Sequence, residues 1–170
     1  MRGLIIGRFQ PYHLGHQVVV HKIVDELDEI VIVVGSAQES HTIDNPFTAG
    51  ERLTMIYSAL GDLRSRCYCI PVPDLKRNAI WASHVMSMTP DFDVVFSNNP
   101  LVLELFSEAG IDVRRPPLYR RDVYSGTKIR KLMLEDGDWR SLVPQPVAHI
   151  IEKIKGVERL RNISKNDGVA

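Results

Sequence analysis

The sequence predicts an α/β fold: an open parallel sheet with helices on both faces, followed by C-terminal helices. Short apolar runs alternate with longer amphipathic stretches along much of the 170-residue chain, which is typical of right-handed βαβ units. The run at 30–34 is apolar at every position, so both faces of that strand are expected to be covered. β-branched residues dominate this run, which favours a strand over a helix.

Continuous apolar runs predict five strands. In chain order these are 3–6, 30–34, 68–72, 92–96 and a weaker run at 111–113. Helical spacing of apolar residues predicts helices between the strands, at 18–27, 48–61, 77–88 and 100–108. The second of these begins with Thr48, and Glu51 stands where a capping box needs an acid, while Gly61 is the expected end.

The character of the chain changes after residue 115, where Pro116 and Pro117 interrupt the alternation. A helix is predicted to begin at Ser125-Gly126-Thr127, and a final helix to run from Pro144 to Ile154. The polar residues 164–170 are expected to form a frayed tail. No repeat, low-complexity tract or domain boundary is apparent, so residues 1–170 are predicted to be a single domain.

Charge and cysteine content restrict the class of partner. Basic and acidic residues number 21 each, whereas a nucleic-acid or membrane-surface binder is expected to carry a basic excess. No apolar stretch approaches the ~20 residues that span a bilayer. Cys67 and Cys69 lie in an apolar run without further metal ligands, which predicts buried thiols in a reducing compartment. We therefore expect a cytoplasmic protein whose partners are small molecules, with neither nucleic acid nor membrane involved.

The loop after the first strand carries the strongest functional signal. In an open α/β sheet, ligands bind beyond the carboxyl ends of the strands. His13 and His16 are three residues apart at an expected helix start, where free N–H groups bind anions. Gly15 removes a side chain between them, which allows a ligand to approach the backbone. Together with Arg8, these residues predict a phosphate cradle; the alternatives are structural histidines or a fortuitous metal pair.

Three segments resemble a known family. Gly7-Arg8-Phe9-Gln10-Pro11-x-His13-x-Gly15-His16 resembles the H-x-G-H motif of the nucleotidylyltransferase superfamily. The narrower similarity is to the archaeal-type nicotinamide-mononucleotide adenylyltransferases, and it covers essentially the whole chain. It is supported by Gly35-Ser36-Ala37-Gln38-x-Ser40-His41-Thr42 with Asn45-Pro46-Phe47-Thr48-Ala49-Gly50-Glu51-Arg52, and by Tyr124-Ser125-Gly126-Thr127-x-x-Arg130.

The resemblance implies adenylyl transfer from ATP to nicotinamide mononucleotide, which forms NAD and pyrophosphate. The attacking phosphate oxygen is already an anion, so no general base is needed, and the sequence offers no obvious catalytic carboxylate pair or triad. The resemblance implies four catalytic residues, Arg8, His13, His16 and Arg130. The ATP-binding residues it implies are Gly7, Arg8, Phe9, His13, Gly15, His16, Asn99, Tyr124, Ser125, Thr127 and Arg130. Mg²⁺ is expected to arrive with ATP, without a metal site built from side chains.

The nicotinamide end is predicted on other loops. The substrate-binding residues are Ser36, Ser40, His41, Phe47, Asp74, Asn78 and Trp81. A tryptophan face suits a pyridinium ring, and the resemblance implies that Trp81 stacks on this ring and that Asn78 binds the carboxamide. The alternative for Trp81 and Phe47 is simple core packing. The resemblance also implies a homo-oligomer, with a hexamer as the suggested size.

Two positions depart from the family pattern. Asn98 stands where relatives usually have a glycine, and asparagine tolerates a left-handed backbone well. Ile43-Asp44 offers no arginine in a loop where some relatives carry one. Two other functions stay open: transfer to a different phosphate such as phosphopantetheine, and a non-catalytic nucleotide sensor.

Overall fold

The computed structural model describes residues 1–116 and 119–166 of the chain. Its centre is a single parallel sheet of five strands in the order β3-β2-β1-β4-β5. The five predicted strands are confirmed, with ends that differ by one or two residues. They are β1 (Arg2–Gly7), β2 (Glu29–Val34), β3 (Cys67–Pro71), β4 (Val94–Phe96) and β5 (Asp112–Arg114).

Seven α-helices accompany the sheet in the described part of the chain. They are α1 (Leu14–Glu26), α2 (Ala49–Leu60), α3 (Trp81–Met88), α4 (Pro100–Glu108), α5 (Gly126–Leu134), α6 (Gln145–Lys153) and α7 (Gly156–Asn166). The predicted capping box of α2 is confirmed, because the Glu51 amide donates to Thr48 Oγ1 at 3.1 Å and the Thr48 amide donates to Glu51 Oε2 at 2.9 Å.

The helices differ from prediction in three places. The segment predicted at 77–88 divides into a 3₁₀ turn, Asn78–Ile80, and α3. The helix predicted from Pro144 to Ile154 is α6, but it is not the final one, because the backbone turns at Lys155, with a φ of 55°, and α7 follows. Residues 164–166 of the expected frayed tail belong to α7, and residues 167–170 lie outside the described residues.

The helices cover both faces of the sheet, as predicted. Side chains of α1, α2, α5, α6 and α7 pack on one face, and those of α3 and α4 pack on the other. Within β2, Ile32 faces the first cluster and Val33 the second, and both are fully buried. Cys67 and Cys69 are buried free thiols, and burial raises their pKa values to about 11 and about 12.

The strand order determines where a ligand can bind. β1 is paired with β2 on one side and with β4 on the other, so the order reverses between β1 and β4. Connections that leave β1 and β4 diverge at such a point, and they leave a crevice beyond the strand ends. None of the helices in the described ranges is long and apolar enough to cross a membrane.

Candidate functional site

A cleft of about 620 Å³ opens beyond β1 and β4. Its wall comes from the loop after β1, the start of α1, the loop after β4 and the segment that leads into α5. Of the ATP-binding residues predicted, the structure places all but Gly7 in this wall. They are Arg8, Phe9, His13, Gly15, His16, Asn99, Tyr124, Ser125, Thr127 and Arg130.

His13 and His16 cap helix α1 reciprocally. His13 is the N-cap, and its Nδ1 accepts the His16 amide at 3.3 Å. His16 returns the contact, because its Nδ1 accepts the His13 amide at 3.2 Å. The two rings stack with centroids 3.5 Å apart. The two histidines therefore have a structural role as the helix cap in addition to any catalytic one. With this cap, α1 begins at Leu14, before the apolar stripe that starts at residue 18.

The cap fixes the protonation of both rings. An Nδ1 atom that accepts a backbone N–H keeps its lone pair, so the proton of the neutral ring lies on Nε2. Burial lowers the pKa of His13 to about 4. Burial, with the neighbouring His13, also lowers the pKa of His16 well below its usual value. Both imidazoles are therefore neutral Nε2–H donors at neutral pH.

The cap predicts a specific pH dependence of stability. The unfolded His13 has a pKa near 6.5 and the folded one about 4, so between these pH values the unfolded chain binds more protons. The contribution of His13 to the free energy of unfolding is expected to be complete above pH 6.5. This contribution should fall by about 3 kcal/mol as the pH is lowered to 4. Urea unfolding at several pH values measures the slope.

The matched variants are His13→Asn and His149→Asn. Asparagine is a good N-cap without a titration in this range, so His13→Asn should flatten the slope. His149 is an exposed histidine of α6, so its substitution is the control. An unchanged slope in His13→Asn would contradict the assignment of the effect to the cap.

Two arginines bring positive charge to the cleft. Arg130 is only 4% exposed, and its Nη1 donates to the Gln10 carbonyl at 2.9 Å. Its Nη2 forms an ion pair with Asp44 Oδ1 at 3.3 Å. Arg8 is exposed and makes a long contact of 3.5 Å from Nη1 to Asn45 Oδ1. The loop that contains Asp44 and Asn45 lacks the arginine that some relatives have there. It contacts Arg130 through the carboxylate of Asp44 and Arg8 through the side-chain amide of Asn45.

Close backbone approach at two glycines brings the starts of α1 and α5 together. A Cβ atom at Gly15 would lie 2.8 Å from Tyr124 Cβ, and one at Gly126 would lie 3.0 Å from the Gln10 carbonyl oxygen. Gly15 therefore makes room for Tyr124 as well as contributing to the cleft wall. Ser125 caps α5 by accepting the Lys128 amide at 3.2 Å. Two helix N-termini therefore lie at one cleft, which favours a polyanion.

The loop after β4 accommodates Asn98 without strain. Asn98 does not have the positive φ that a glycine would permit, and its Nδ2 donates to the Pro116 carbonyl at 3.4 Å. Asn99 caps α4 by accepting the Leu101 amide at 3.0 Å. The missing glycine of the family pattern is thus no obstacle to this turn.

The predicted substrate-binding residues lie outside the wall of the main cleft, on the loops after β2 and β3 and at the start of α3. The two loops are joined to each other, because the Ala37 amide donates to the Val72 carbonyl at 3.2 Å and the Asp74 amide to Gln38 Oε1 at 2.9 Å. His41 has a positive φ of 57°. The remaining positions are partly buried or exposed: Ser36, Ser40, Asn78 and Trp81.

Phe47 is the one residue of this set that the structure corrects. Its side chain is fully buried in the core, next to Gly156, where a Cβ atom would lie 2.7 Å from the Phe47 ring. It cannot contact a substrate from there, so the core alternative is the right one. The Gln10 side chain binds the backbone of Phe47 at two points. Its Oε1 accepts the Phe47 amide and its Nε2 donates to the Phe47 carbonyl, both at 2.9 Å.

Comparison with known proteins identifies the family. The profile of the cytidylyltransferase-like family matches residues 4–132. A nicotinamide-nucleotide adenylyltransferase of Methanothrix thermoacetophila is 66% identical over 98% of both chains. Proteins of the same name from Methanosarcina mazei and Halobacterium salinarum are 55% and 52% identical over 98% of this chain, and 96% and 94% of theirs. The chain belongs to the nicotinamide-nucleotide adenylyltransferases.

A solved structure supports the fold of this adenylyltransferase. It is a bifunctional NMN adenylyltransferase/ADP ribose pyrophosphatase from Francisella tularensis, crystallised with AMP and a manganese ion. The TM-score is 0.81 at 19% identity, and the match covers 99% of the present chain. The present chain spans 53% of the length of that larger protein.

Several residues of the site are missed by sequence reasoning. Gln10 and Arg52 are almost completely buried polar side chains inside the quoted motifs, but nothing in their spacing reveals their partners. Tyr119 stacks on Tyr124 at 5.7 Å in the cleft wall, and Arg121 lies in the same wall. In the ranges 1–116 and 119–166, no group of three His, Cys, Asp or Glu residues has an arrangement that could hold a metal ion.

Proposed function

We propose that this nicotinamide-nucleotide adenylyltransferase binds ATP in the cleft beyond β1 and β4 and nicotinamide mononucleotide on the adjoining loops after β2 and β3. A phosphate oxygen of the mononucleotide attacks the α-phosphorus of ATP. The bond from that phosphorus to the β-bridging oxygen breaks, and pyrophosphate leaves with the electron pair. The observation that carries the proposal is the convergence on one cleft of two helix N-termini, two neutral imidazole donors and two guanidinium groups.

The residues of the cleft are suited to positioning and charge stabilisation. His16 would donate from Nε2 to an α-phosphate oxygen, with His13 beside it. Arg8 and Arg130 would bind the β- and γ-phosphates, and Ser125 and Thr127 would add donors at the start of α5. Such donors act because they are already oriented towards the charge that builds on the leaving group.

Mg²⁺ is the divalent ion we propose to accompany ATP. Mg²⁺ at nucleotide sites commonly keeps several water ligands and binds through substrate phosphates, which the donors of this cleft would hold. When bound, the ion would supply charge neutralisation for the leaving pyrophosphate. Arg8 and Arg130 would share that task from the protein side.

The nicotinamide ring is expected to stack on Trp81. Replacing Trp81 with alanine should raise the KM for nicotinamide mononucleotide about 10-fold, because a desolvated cation–π contact contributes up to about 2 kcal/mol. The KM for ATP should stay the same, and Trp81→Phe should give an intermediate value. Initial rates with each substrate varied in turn provide the measurement. An unchanged KM for the mononucleotide in Trp81→Ala would assign this residue to the core alone.

Pyrophosphate release from Mg-ATP tests the proposed function. The purified protein would be assayed with nicotinamide mononucleotide, nicotinate mononucleotide and phosphopantetheine as separate acceptors. Turnover with the nicotinamide or nicotinate acceptor is the expected result. Turnover with phosphopantetheine alone would keep the mechanism and overturn the substrate. No turnover despite tight nucleotide binding would favour a sensor.

Assembly and location are also proposals. We propose a homo-oligomer, with a hexamer as the size that the family resemblance suggests, and light scattering after gel filtration measures it. A cytoplasmic location is supported by the two free cysteine thiols, which suit a reducing compartment.

A further inference from the structure

Arg52 of α2 is a fully buried cation bound only by backbone carbonyl groups. A guanidinium group has five N–H donors, and all five are used. The acceptors are the carbonyl oxygens of Arg8 (2.8 Å), Gly35 (2.8 Å), Ser36 (3.0 Å), Thr48 (3.3 Å) and Glu39 (3.4 Å). Among the described residues no carboxylate hydrogen-bonds to it.

The bonds of Arg52 connect the loop after β1 with the loop after β2. Its Nη1 donates to the carbonyl groups of Arg8 and Gly35 at once. Each of these carbonyl groups precedes a residue in the left-handed region, Phe9 with φ 51° and Ser36 with φ 47°. Residues that carry a Cβ atom hold this conformation only where the surroundings fix it, and such positions concentrate at functional sites.

The charge of Arg52 has no bonded counter-ion. Burial lowers its pKa to about 10, so the group stays charged at neutral pH. The charged groups that face it are Asp74, which favours the charge, and Arg8, which opposes it. A buried charge without a partner is costly, and a well-packed apolar side chain would avoid that cost. The presence of a cation between two ligand loops, where it binds carbonyl groups of both, therefore suggests a role beyond packing.

We propose that Arg52 is a positioning residue for adenylyl transfer: it fixes the loop that carries Arg8 against the loop that carries Ser36, so that the two substrates meet in line. This inference rests on the proposed function, in which the first loop binds ATP and the second binds the acceptor nucleotide. Displacement of one reacting group by about 1 Å costs about 10²-fold in rate. Arg52 itself does not contact the substrates.

The test compares Arg52→Lys with Arg66→Lys. Arg66 likewise donates to backbone carbonyl groups, those of Val24, Leu27 and Asp28, but it does so at the opposite end of the sheet. Lysine keeps the charge in both variants, but its three donors on one nitrogen replace five donors on three nitrogens, so it cannot hold all five carbonyl groups in place. Melting temperature, kcat and both KM values would be measured for the two variants and the wild type, at a temperature where all are folded.

The expected result is a kcat about 10²-fold lower in Arg52→Lys, with Arg66→Lys close to the wild type even if both lose similar melting temperature. Equal kcat values in the two variants would overturn the proposal and leave Arg52 a structural residue. A wild type without turnover on any acceptor would instead refute the proposed function, so the two failures are distinguishable.

A second pair of variants applies if Arg52→Lys does not fold. Arg52→Gln removes the buried charge and keeps two N–H donors on one nitrogen, and Arg66→Gln is its matched control. A kcat about 10²-fold lower in Arg52→Gln than in Arg66→Gln supports the proposal. Equal kcat values in these two variants would overturn it.

Discussion

Replacing His16 with alanine is expected to lower kcat for NAD formation by about 10²–10³-fold. The substitution removes the Nε2–H donor that we assign to the α-phosphate, and it also removes the Nδ1 atom that accepts the His13 amide. The catalytic loss arises because the donor is oriented before the reaction and no water molecule replaces it in the same place. The measurement is the initial rate of pyrophosphate release at saturating Mg-ATP and nicotinamide mononucleotide.

Two further variants separate chemistry from helix capping. Glutamine at the N3 position of a helix can accept the N-cap amide, so His16→Gln should keep α1 stable while its activity falls. His21→Ala changes an exposed residue of the same helix and should leave kcat unchanged. Near-full turnover in His16→Ala would show that the imidazole has no catalytic role. A loss of activity in His21→Ala equal to that in His16→Ala would point to a general defect of α1.

Replacing Arg130 with lysine is expected to lower kcat/KM for ATP by about 10²-fold. Lysine keeps the charge but carries its donors on one nitrogen, so it lacks the planar fork with which Arg130 reaches Gln10 from Nη1 and Asp44 from Nη2. The loss should include a higher KM for ATP, because β- and γ-phosphate contacts are made in the ground state as well as in the transition state. Steady-state kinetics with ATP varied at a fixed, saturating acceptor measure both parameters.

The matched control is Lys131→Ala, which changes the neighbouring residue of α5. Lys131 is exposed and its only ion pair in the described structure is a 3.9 Å contact with Glu135, so its loss should leave both kcat and KM unchanged. If Arg130→Lys kept the wild-type kcat/KM, the triphosphate would have to be bound elsewhere. The long contact between Arg8 and Asn45 suggests Arg8 as the first residue to examine in that case.

Much of the fold could be predicted because its signals are local. The capping box of Thr48 and Glu51 lies within four residues, and Gly61 ends the same helix as expected. The strand at 30–34 is apolar throughout because helices cover both of its faces, and the structure confirms the reason as well as the strand. The loop residues that line the main cleft follow these strands directly, so the β1 loop could be assigned from sequence order alone.

The parts that escaped prediction depend on contacts that are distant in sequence or on unusual backbone. The break between α6 and α7 occurs at Lys155, where a non-glycine residue adopts a positive φ. The burial of Phe47 depends on its packing beside Gly156. Arg52 binds three segments of the chain, and no spacing rule brings such acceptors together in advance. The spacing of His13 and His16 predicts phosphate binding, but it does not reveal the reciprocal cap, which depends on the extended backbone of His13.

The central claim is that the acceptor phosphate attacks the α-phosphorus of ATP at the cleft beyond β1 and β4. The most direct test follows oxygen atoms, with nicotinamide mononucleotide that carries ¹⁸O in its terminal phosphate oxygens and mass spectrometry of both products. The account predicts NAD that retains all of the label and pyrophosphate that contains none. The contradicting result is label lost from NAD or found in pyrophosphate, or no NAD at all.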